Sequence, residues 1–136
     1  TSENKAWIKS FPIIRNEKGI SMVHGSWANP IDDYLEPTKD YFENLQGKIF
    51  VSGHCHVQRL EKYDEKFYCN PGSVGQPRDN NPNAAFAVFD GENFQLYRVE
   101  YDIDKVGELM EKAGFSGYYY GCLKTGAKNL CWYKEN

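Results

Sequence analysis

An unbroken apolar segment that ends in two histidines constrains this chain more than any other feature of its sequence. Ile49-Phe50-Val51 is apolar at every position, which is typical of a strand buried on both faces of a sheet. Gly53-His54-Cys55-His56 follows almost at once. The sequence therefore predicts a buried strand over 48–52 whose end presents two imidazoles one residue apart.

The third and last histidine of the chain has a similar context. His24 also follows a short apolar run and has a glycine beside it. The glycine comes after the histidine in His24-Gly25 and before it in Gly53-His54. We expect both glycines to let the backbone turn away from a strand. Neutral imidazole is a good ligand for Mn, Fe, Co, Ni and Zn, so His24, His54 and His56 are the candidate metal ligands.

Strand alternation indicates how the histidine pair is oriented. In an extended segment residues i and i+2 point to the same side, so His54 and His56 are expected to face one cavity. Cys55 then points the other way, into packing. Each histidine taken alone is equally compatible with a hydrogen-bonded core or surface residue, and this interpretation stays open.

Charge and hydropathy argue against two classes of function. The chain has 16 Lys and Arg against 19 Asp and Glu, a net charge of -3 and no basic stripe, so bulk binding to a nucleic-acid backbone is not expected. No apolar run approaches the roughly 20 residues of a membrane helix. The first residues lack a signal-peptide pattern, and the cysteines have no C-x-x-C spacing. We therefore expect a cytoplasmic protein with reduced thiols at Cys55, Cys69, Cys122 and Cys131.

Residues 1–136 are predicted to form a single domain of short helices and mostly antiparallel hairpins. The predicted helices are one capped by Ser2 and stopped by Pro12, one from Pro37 to Gly47, one from Asp102 to Gly114, and a short one over 118–124. The predicted strands cover 13–15, 20–24, 48–52, 58–63, 66–70, 85–89 and 94–101. We expect Trp7, Ile8 and Phe11 to face the core.

The loop that starts at Asn70 is unusually rich in turn-forming residues. Asn70-Pro71-Gly72-Ser73-Val74-Gly75-Gln76-Pro77-Arg78-Asp79 predicts a fixed series of turns whose backbone N–H groups are free to point at a ligand. An ordinary rigid connector is the alternative interpretation.

Three segments taken together resemble the calcineurin-like metallophosphoesterases, in particular the small bacterial and archaeal phosphodiesterases. Val23-His24-Gly25-Ser26 resembles the family's strand-end His-Gly motif, Ser52-Gly53-His54-Cys55-His56 its Gly-His-x-His motif, and the loop from Asn70 the Pro-Gly-Ser loop. The resemblance covers essentially the whole chain. It implies an α/β fold of α+β-like character, the C-terminal half of a two-sheet sandwich flanked by helices (α-β-β-α layers in the full domain).

The same resemblance implies a site and a reaction. His24 and His54 would bind one ion of a divalent pair and His56 the other, with manganese, zinc, iron, nickel or cobalt as candidates. In the family the two ions clamp a phosphate ester while a metal-activated hydroxide attacks phosphorus. The family's Asp-x-His, Gly-Asp-x-x-Asp and Gly-Asn-His-Asp motifs, which supply the bridging Asp and the general-acid His, do not occur in this sequence. No catalytic residue is therefore assigned within the chain.

The resemblance also sets expectations about partners. The expected substrate is a small phosphate ester or a nucleotide. An N-terminal half with the missing motifs, or self-association, is expected to cover an apolar sheet face left open, and the isolated chain is expected to be inactive. The alternative function is a non-catalytic metal-binding or oligomerising module.

Overall fold

The computed structural model describes residues 1–127, and its elements largely follow the predicted order. The helices are α1 (Ser2–Lys9), α2 (Lys39–Glu43) and α3 (Ile103–Lys112), and two 3-10 turns cover Gly117–Tyr119 and Gly121–Lys124. The strands are β1 (Ile14–Glu17), β2 (Ile20–Val23), β3 (Ile49–Val51), β4 (Arg59–Tyr63), β5 (Lys66–Asn70), β6 (Ala84–Phe89) and β7 (Phe94–Val99). A five-stranded sheet has the order β1-β2-β3-β5-β4, and β6 pairs with β7 in a second sheet. This content confirms the predicted mixed α/β class.

The chain divides into two compact units. The first comprises Thr1–His54 and Lys62–Tyr68, and the second comprises Cys55–Glu61 and the chain from Cys69 onward. His24 and His54 thus belong to the first unit and His56 to the second. None of the helices within residues 1–127 has the length and apolar character needed to cross a membrane.

A parallel strand pair in the first unit determines where two histidines lie. β1 and β2 form the predicted antiparallel hairpin, and its turn residues Lys18 and Gly19 have φ of 50° and 82°. β2 and β3, however, pair in parallel, with Ser21 opposite Phe50. This pair is an exception to the mostly antiparallel pairing that the sequence predicts, because the long connection through α2 allows a parallel crossover. Parallel strands end at the same edge, which brings the residues after Val23 and after Val51 together.

The core of the first unit anchors β3 at that edge. Phe42, Phe50 and Tyr68 are fully buried and pack on one another. The hydroxyl groups of Ser52 and Tyr68 are 2.8 Å apart and both buried. The partly buried residues around this cluster are Trp27, Leu35, Tyr41, Leu45 and Tyr63. The aromatic packing therefore fixes the last residues of β3, just before the histidines.

The first two helices differ from expectation in detail. The N-cap of α1 is Thr1, whose Oγ1 accepts a hydrogen bond from the Asn4 amide, rather than Ser2. The prediction that Trp7, Ile8 and Phe11 face the core is wrong, because their side chains are 62%, 61% and 45% exposed. Trp7 and Phe11 instead pack edge to face on the surface. α2 is shorter than predicted, since Thr38 caps it and Pro37 lies before the cap.

The second unit contains the β6–β7 hairpin and α3. Phe89 pairs with Phe94 across the predicted turn, where Asp90 Oδ1 accepts hydrogen bonds from the amides of Glu92 and Asn93. Asp102 caps α3 as predicted, through the Lys105 amide. The short helix predicted over 118–124 is wrong in form, because two 3-10 turns interrupted at Tyr120 take its place.

Candidate metal centre

His24 and His54 meet at the shared edge of β2 and β3. His24 Nε2 lies 3.0 Å from His54 Nδ1, and the two ring planes are inclined at 76°. The Gly53 amide donates a hydrogen bond to the His24 carbonyl at 2.9 Å, which ties the two strand ends together. The parallel pairing of β2 and β3 therefore brings together two of the three predicted ligands, His24 and His54.

The contact between the two ring nitrogens limits what these histidines can do. Two neutral imidazole rings can place these nitrogens at this distance in two ways. One nitrogen carries a proton and donates it to the other in a hydrogen bond, or each nitrogen directs its lone pair at the same cation. The other ring nitrogen of His54, Nε2, is buried and has no hydrogen-bond partner in the part of the chain the structure describes. A pair of converging imidazole nitrogens fits a borderline divalent ion such as Mn, Fe, Co, Ni or Zn.

The described chain gives this pair no third ligand of the usual kind. Within residues 1–127, no group of three or more His, Cys, Asp or Glu side chains is placed so that it could hold a metal ion. The residues present thus fit a metal as two of its ligands, and a complete coordination shell needs further donors.

The backbone at His54 and His56 departs from the expected extended form. Their φ angles are 62° and 58°, in the left-handed region that non-glycine residues rarely adopt. The alternation argument for their orientation is therefore wrong, because it holds only for extended backbone. Such conformations cost of order 1–3 kcal/mol each and are concentrated at functional sites.

The glycines next to the histidines act differently from the prediction. Neither Gly25 nor Gly53 has a positive φ, so conformational freedom is not why glycine is there. A Cβ at Gly25 would lie 2.8 Å from the Asn29 carbonyl oxygen and 2.9 Å from the Asp33 amide nitrogen. Gly25 is therefore required by the close approach of the following loop, whereas a Cβ at Gly53 would make only ordinary contacts with His24.

That loop brings a residue to the site which sequence analysis missed. Ser26 Oγ accepts hydrogen bonds from the amides of Ala28 and Asn29, and the Gly25 amide donates to the Pro30 carbonyl. The loop continues to Tyr34, whose ring centroid lies 4.3 Å from that of His54 while the side chain remains 58% exposed. The only indication of Tyr34 in the sequence is its position in the segment after His24.

His56 is held by the loop that follows β5. Its Nδ1 lies 2.8 Å from the Gln76 carbonyl oxygen, and its own carbonyl accepts a hydrogen bond from the Arg78 amide at 3.0 Å. A carbonyl can only accept, so in the neutral ring Nδ1 carries the proton and Nε2 keeps its lone pair. Metal-binding histidines are commonly held in this way by a second hydrogen bond.

Several amides of the segment between β5 and β6 are engaged, in contrast to the free amides that its sequence predicts. Five of its N–H groups donate within the second unit, so the expectation is wrong for them. They are Gly72 to Asn70 Oδ1, Gln76 to Ser73 Oγ, Arg78 to the His56 carbonyl, Asn80 to the Gly126 carbonyl, and Asn83 to Asn81 Oδ1. The rigid-connector interpretation describes these amides better.

Three of the four cysteines lie within the described residues, and all three are free thiols. Cys55, between the two histidines, accepts a hydrogen bond from Asn70 Nδ2 at 3.2 Å. Burial raises the pKa of Cys69 to about 11, so this thiol stays protonated at neutral pH. Cys122 is buried, and Cys131 lies outside the described residues.

Comparison with known proteins relates this chain to one superfamily. The model of the calcineurin-like phosphoesterase superfamily domain matches residues 4–93. An uncharacterized protein of Methanocaldococcus jannaschii is 35% identical over 136 residues, an alignment that covers 82% of this chain and 55% of that protein. The phosphodiesterase YfcE of Escherichia coli is 29% identical over 84 residues, which cover 59% of this chain and 39% of the enzyme.

Solved structures show the same relationship in three dimensions. A metallophosphoesterase from Sphaerobacter thermophilus superimposes with a TM-score of 0.84 and 27% identity, over 93% of this chain and 62% of that one. The hypothetical protein PH1004 from Pyrococcus horikoshii shares the fold, with a TM-score of 0.78 and 21% identity, over 93% of this chain and 56% of its own. The predicted fold class is thus confirmed. The chain spans less than two thirds of the length of each of these proteins.

Proposed function

Because the chain belongs to the calcineurin-like phosphoesterase superfamily, we propose that it is the histidine-bearing part of a metal-dependent phosphoesterase that hydrolyses phosphate esters. The contact of His24 Nε2 with His54 Nδ1 at 3.0 Å is the observation that carries the proposal, because it forms a donor pair for a divalent ion. The similarity to a phosphodiesterase favours phosphodiesters, including those of nucleotides, as the substrate class.

The proposal assigns the three histidines to two ions. His24 and His54 hold one, and His56 holds the other through Nε2, since its Nδ1 is engaged by Gln76. Manganese is the first candidate metal, and zinc, iron, nickel and cobalt suit the same ligands. Ions bound there would supply Lewis acidity toward the phosphoryl oxygens and would lower the pKa of a coordinated water.

The carboxylate ligands and the general acid are proposed to come from outside residues 1–136. Among the described residues of the first unit, Trp7, Ile8, Phe11 and Ile13 are exposed apolar side chains. Exposed apolar surface of this kind is typical of interfaces. We assign it to the segment that carries the remaining motifs, or to a second copy of the chain, so that residues 1–136 alone are expected to be inactive.

Hydrolysis of a generic phosphodiester tests the proposal. With manganese added, the full protein that contains this chain should hydrolyse bis(p-nitrophenyl) phosphate, and His54→Ala should lower kcat/KM by about 100-fold or more because a ligand of an essential ion is lost. Lys112→Ala, at the basic last turn of α3, is the matched control and should leave the rate unchanged. Equal rates in the His54→Ala protein and the wild type would contradict the proposed role.

A further inference from the structure

A partly buried polar network connects Gln58, Asp79 and Arg98 of the second unit. Arg98 forms an ion pair with Asp79, and their side chains are only 19% and 15% exposed. Arg98 Nε donates to Gln58 Oε1 at 2.9 Å. The backbone amide of Gln58 donates to Asp79 Oδ2 at 3.0 Å. Each member therefore contacts the other two, which is a stronger constraint than a surface pair provides.

The network also holds the two flanks of the loop between β5 and β6. Gln58 Nε2 donates to the Pro71 carbonyl at 3.3 Å, on the early side of the loop. Arg98 Nη1 donates to the Asn83 carbonyl at 3.2 Å, on its late side. The same Gln58 amide group contacts the carbonyls of Phe86 and Tyr97 in the β6–β7 hairpin. These side chains, together with the hydrogen bond from the Ala85 amide to the Ser73 carbonyl at 2.9 Å, thus fix the loop to β6 and β7.

Two backbone-directed bonds couple this network to His56. The Arg78 amide donates to the His56 carbonyl. The next residue, Asp79, accepts a hydrogen bond from the backbone amide of Gln58, which lies two residues after His56. The segment 56–58 is therefore held in register against 78–79. That register places the Gln76 carbonyl 2.8 Å from His56 Nδ1.

We propose that Asp79 and Arg98 are positioning residues that fix the ring orientation and the tautomer of His56. They act through the loop: the ion pair holds residues 78–79 against 56–58, and the Gln76 carbonyl then keeps the proton on Nδ1, so that the lone pair of the neutral ring lies on Nε2. The assignment of a metal to Nε2 rests on the proposed function. The effect on the ring itself does not depend on it.

Asp79→Asn and Arg98→Lys test this role. Asp79→Asn keeps the shape of the side chain and removes its charge, whereas Arg98→Lys keeps the charge and removes the forked donor. Asp104→Asn removes an exposed ion pair with Lys124 in the same unit and is the matched control. Circular dichroism establishes that each variant is folded, and Arg98→Lys preserves the test if Asp79→Asn does not fold.

The first readout is the tautomer of each histidine in the metal-free full protein, measured by long-range 1H–15N correlation NMR. His56 should be the Nδ1–H tautomer in the wild type and the control, and should shift toward a mixture in Asp79→Asn and Arg98→Lys. His24 and His54 should keep their wild-type signals. An unchanged His56 in both folded variants would overturn the proposal, as would equal changes at all three histidines.

The second readout is manganese affinity measured by calorimetry. One of two binding events should weaken by about 10–100-fold in the variants while the other stays within a factor of two, because only His56 is affected. Equal weakening of both events would overturn the positioning role. Failure of the wild type to bind any metal, with the tautomer shift present, would contradict the proposed function and leave the role of Asp79 and Arg98 supported.

Discussion

His54 has the most unusual surroundings of the three histidines at the scale of single residues. One of its ring nitrogens contacts His24, its backbone is left-handed, and its ring packs against Tyr34. Its remaining nitrogen is buried without a hydrogen-bond partner among the described residues. This combination is difficult to explain as ordinary packing, because strained backbone and unpaired buried nitrogen both cost free energy.

The contact with Tyr34 should contribute to metal binding. Replacing Tyr34 with Ala removes the ring that restrains His54, and an aromatic pair contributes about 0.5–1.5 kcal/mol. We expect the manganese dissociation constant of the His24–His54 ion to rise by about 2–10-fold in calorimetric titration. Tyr34→Phe keeps the ring and should match the wild type. Equal affinity in the Ala variant would show that the ring does not restrain His54.

The two glycines beside the histidines should lose different amounts of stability on the same substitution. Gly25→Ala places a methyl group 2.8 Å from the Asn29 carbonyl oxygen, so the free energy of unfolding should fall by about 1–3 kcal/mol. Gly53→Ala meets nothing closer than 3.6 Å and should change stability much less. Urea denaturation of both variants measures the difference. A larger loss for Gly53→Ala would contradict the account of the loop.

The sequence indicates the three histidines as candidate ligands, but it does not indicate their local geometry. The three histidines were identified from their strand-end contexts, which are local patterns. Tyr34 and the left-handed backbone of His54 and His56 depend on the tertiary path of the chain, and no local periodicity indicates them. The role expected of Gly25 failed for the same reason, since Asn29 and Asp33 approach it only in the folded loop.

At the scale of elements, the end of α2 is fastened to β5 by a single lysine. Lys66 Nζ donates to the carbonyls of Phe42, Glu43 and Leu45, at and just beyond the end of the helix. The parallel pairing of β2 and β3 depends on the crossover connection through α2. The sequence predicts the helix and the two strands, but it does not predict their parallel pairing. The hairpin turns were predictable because Asp90-Gly91 and Lys18-Gly19 carry local signals, whereas strand pairing across residues 24–48 does not.

Removing that lysine should therefore destabilise the first unit. Lys66→Met loses up to three charge-assisted hydrogen bonds, and we expect the free energy of unfolding to fall by about 1–3 kcal/mol. Lys48→Met is the matched control, because the side chain of Lys48 pairs with Glu65 on the surface, where both side chains are mostly exposed. The prediction fails if the two variants lose the same stability in urea denaturation.

The loop network of the second unit should give a defined pH dependence. Burial acts to raise the pKa of Asp79, but hydrogen bonds from Arg98 and from the Gln58 amide outweigh it, so the pKa lies below the usual 3.8. A carboxyl whose pKa is lowered on folding adds stability above its unfolded pKa and loses it as the pH falls through the folded pKa. The stability difference between wild type and Asp79→Asn should thus shrink between about pH 5 and pH 2. A difference that grows on acidification would contradict the sign of this shift.

At the scale of the whole molecule, family membership and the site lead to one account. The family model matches residues 4–93, and the described chain places two histidines together without a third ligand of the usual kind. Fold class followed from the order of elements and from the motif resemblance. The exposed apolar face of α1 was not foreseen, because the same Trp and Phe spacing indicates a core-facing helix when the sequence is considered alone.

Native mass spectrometry of the manganese-loaded full protein tests the central claim most directly, since it counts bound ions in each variant. His24→Ala and His54→Ala should each remove one ion, and the double variant should remove no more than either alone, because both residues bind the same ion. His56→Ala should remove the other ion, and combining it with His54→Ala should remove both. Loss of two ions in the His24→Ala/His54→Ala protein, or full occupancy in all single variants, would contradict the account.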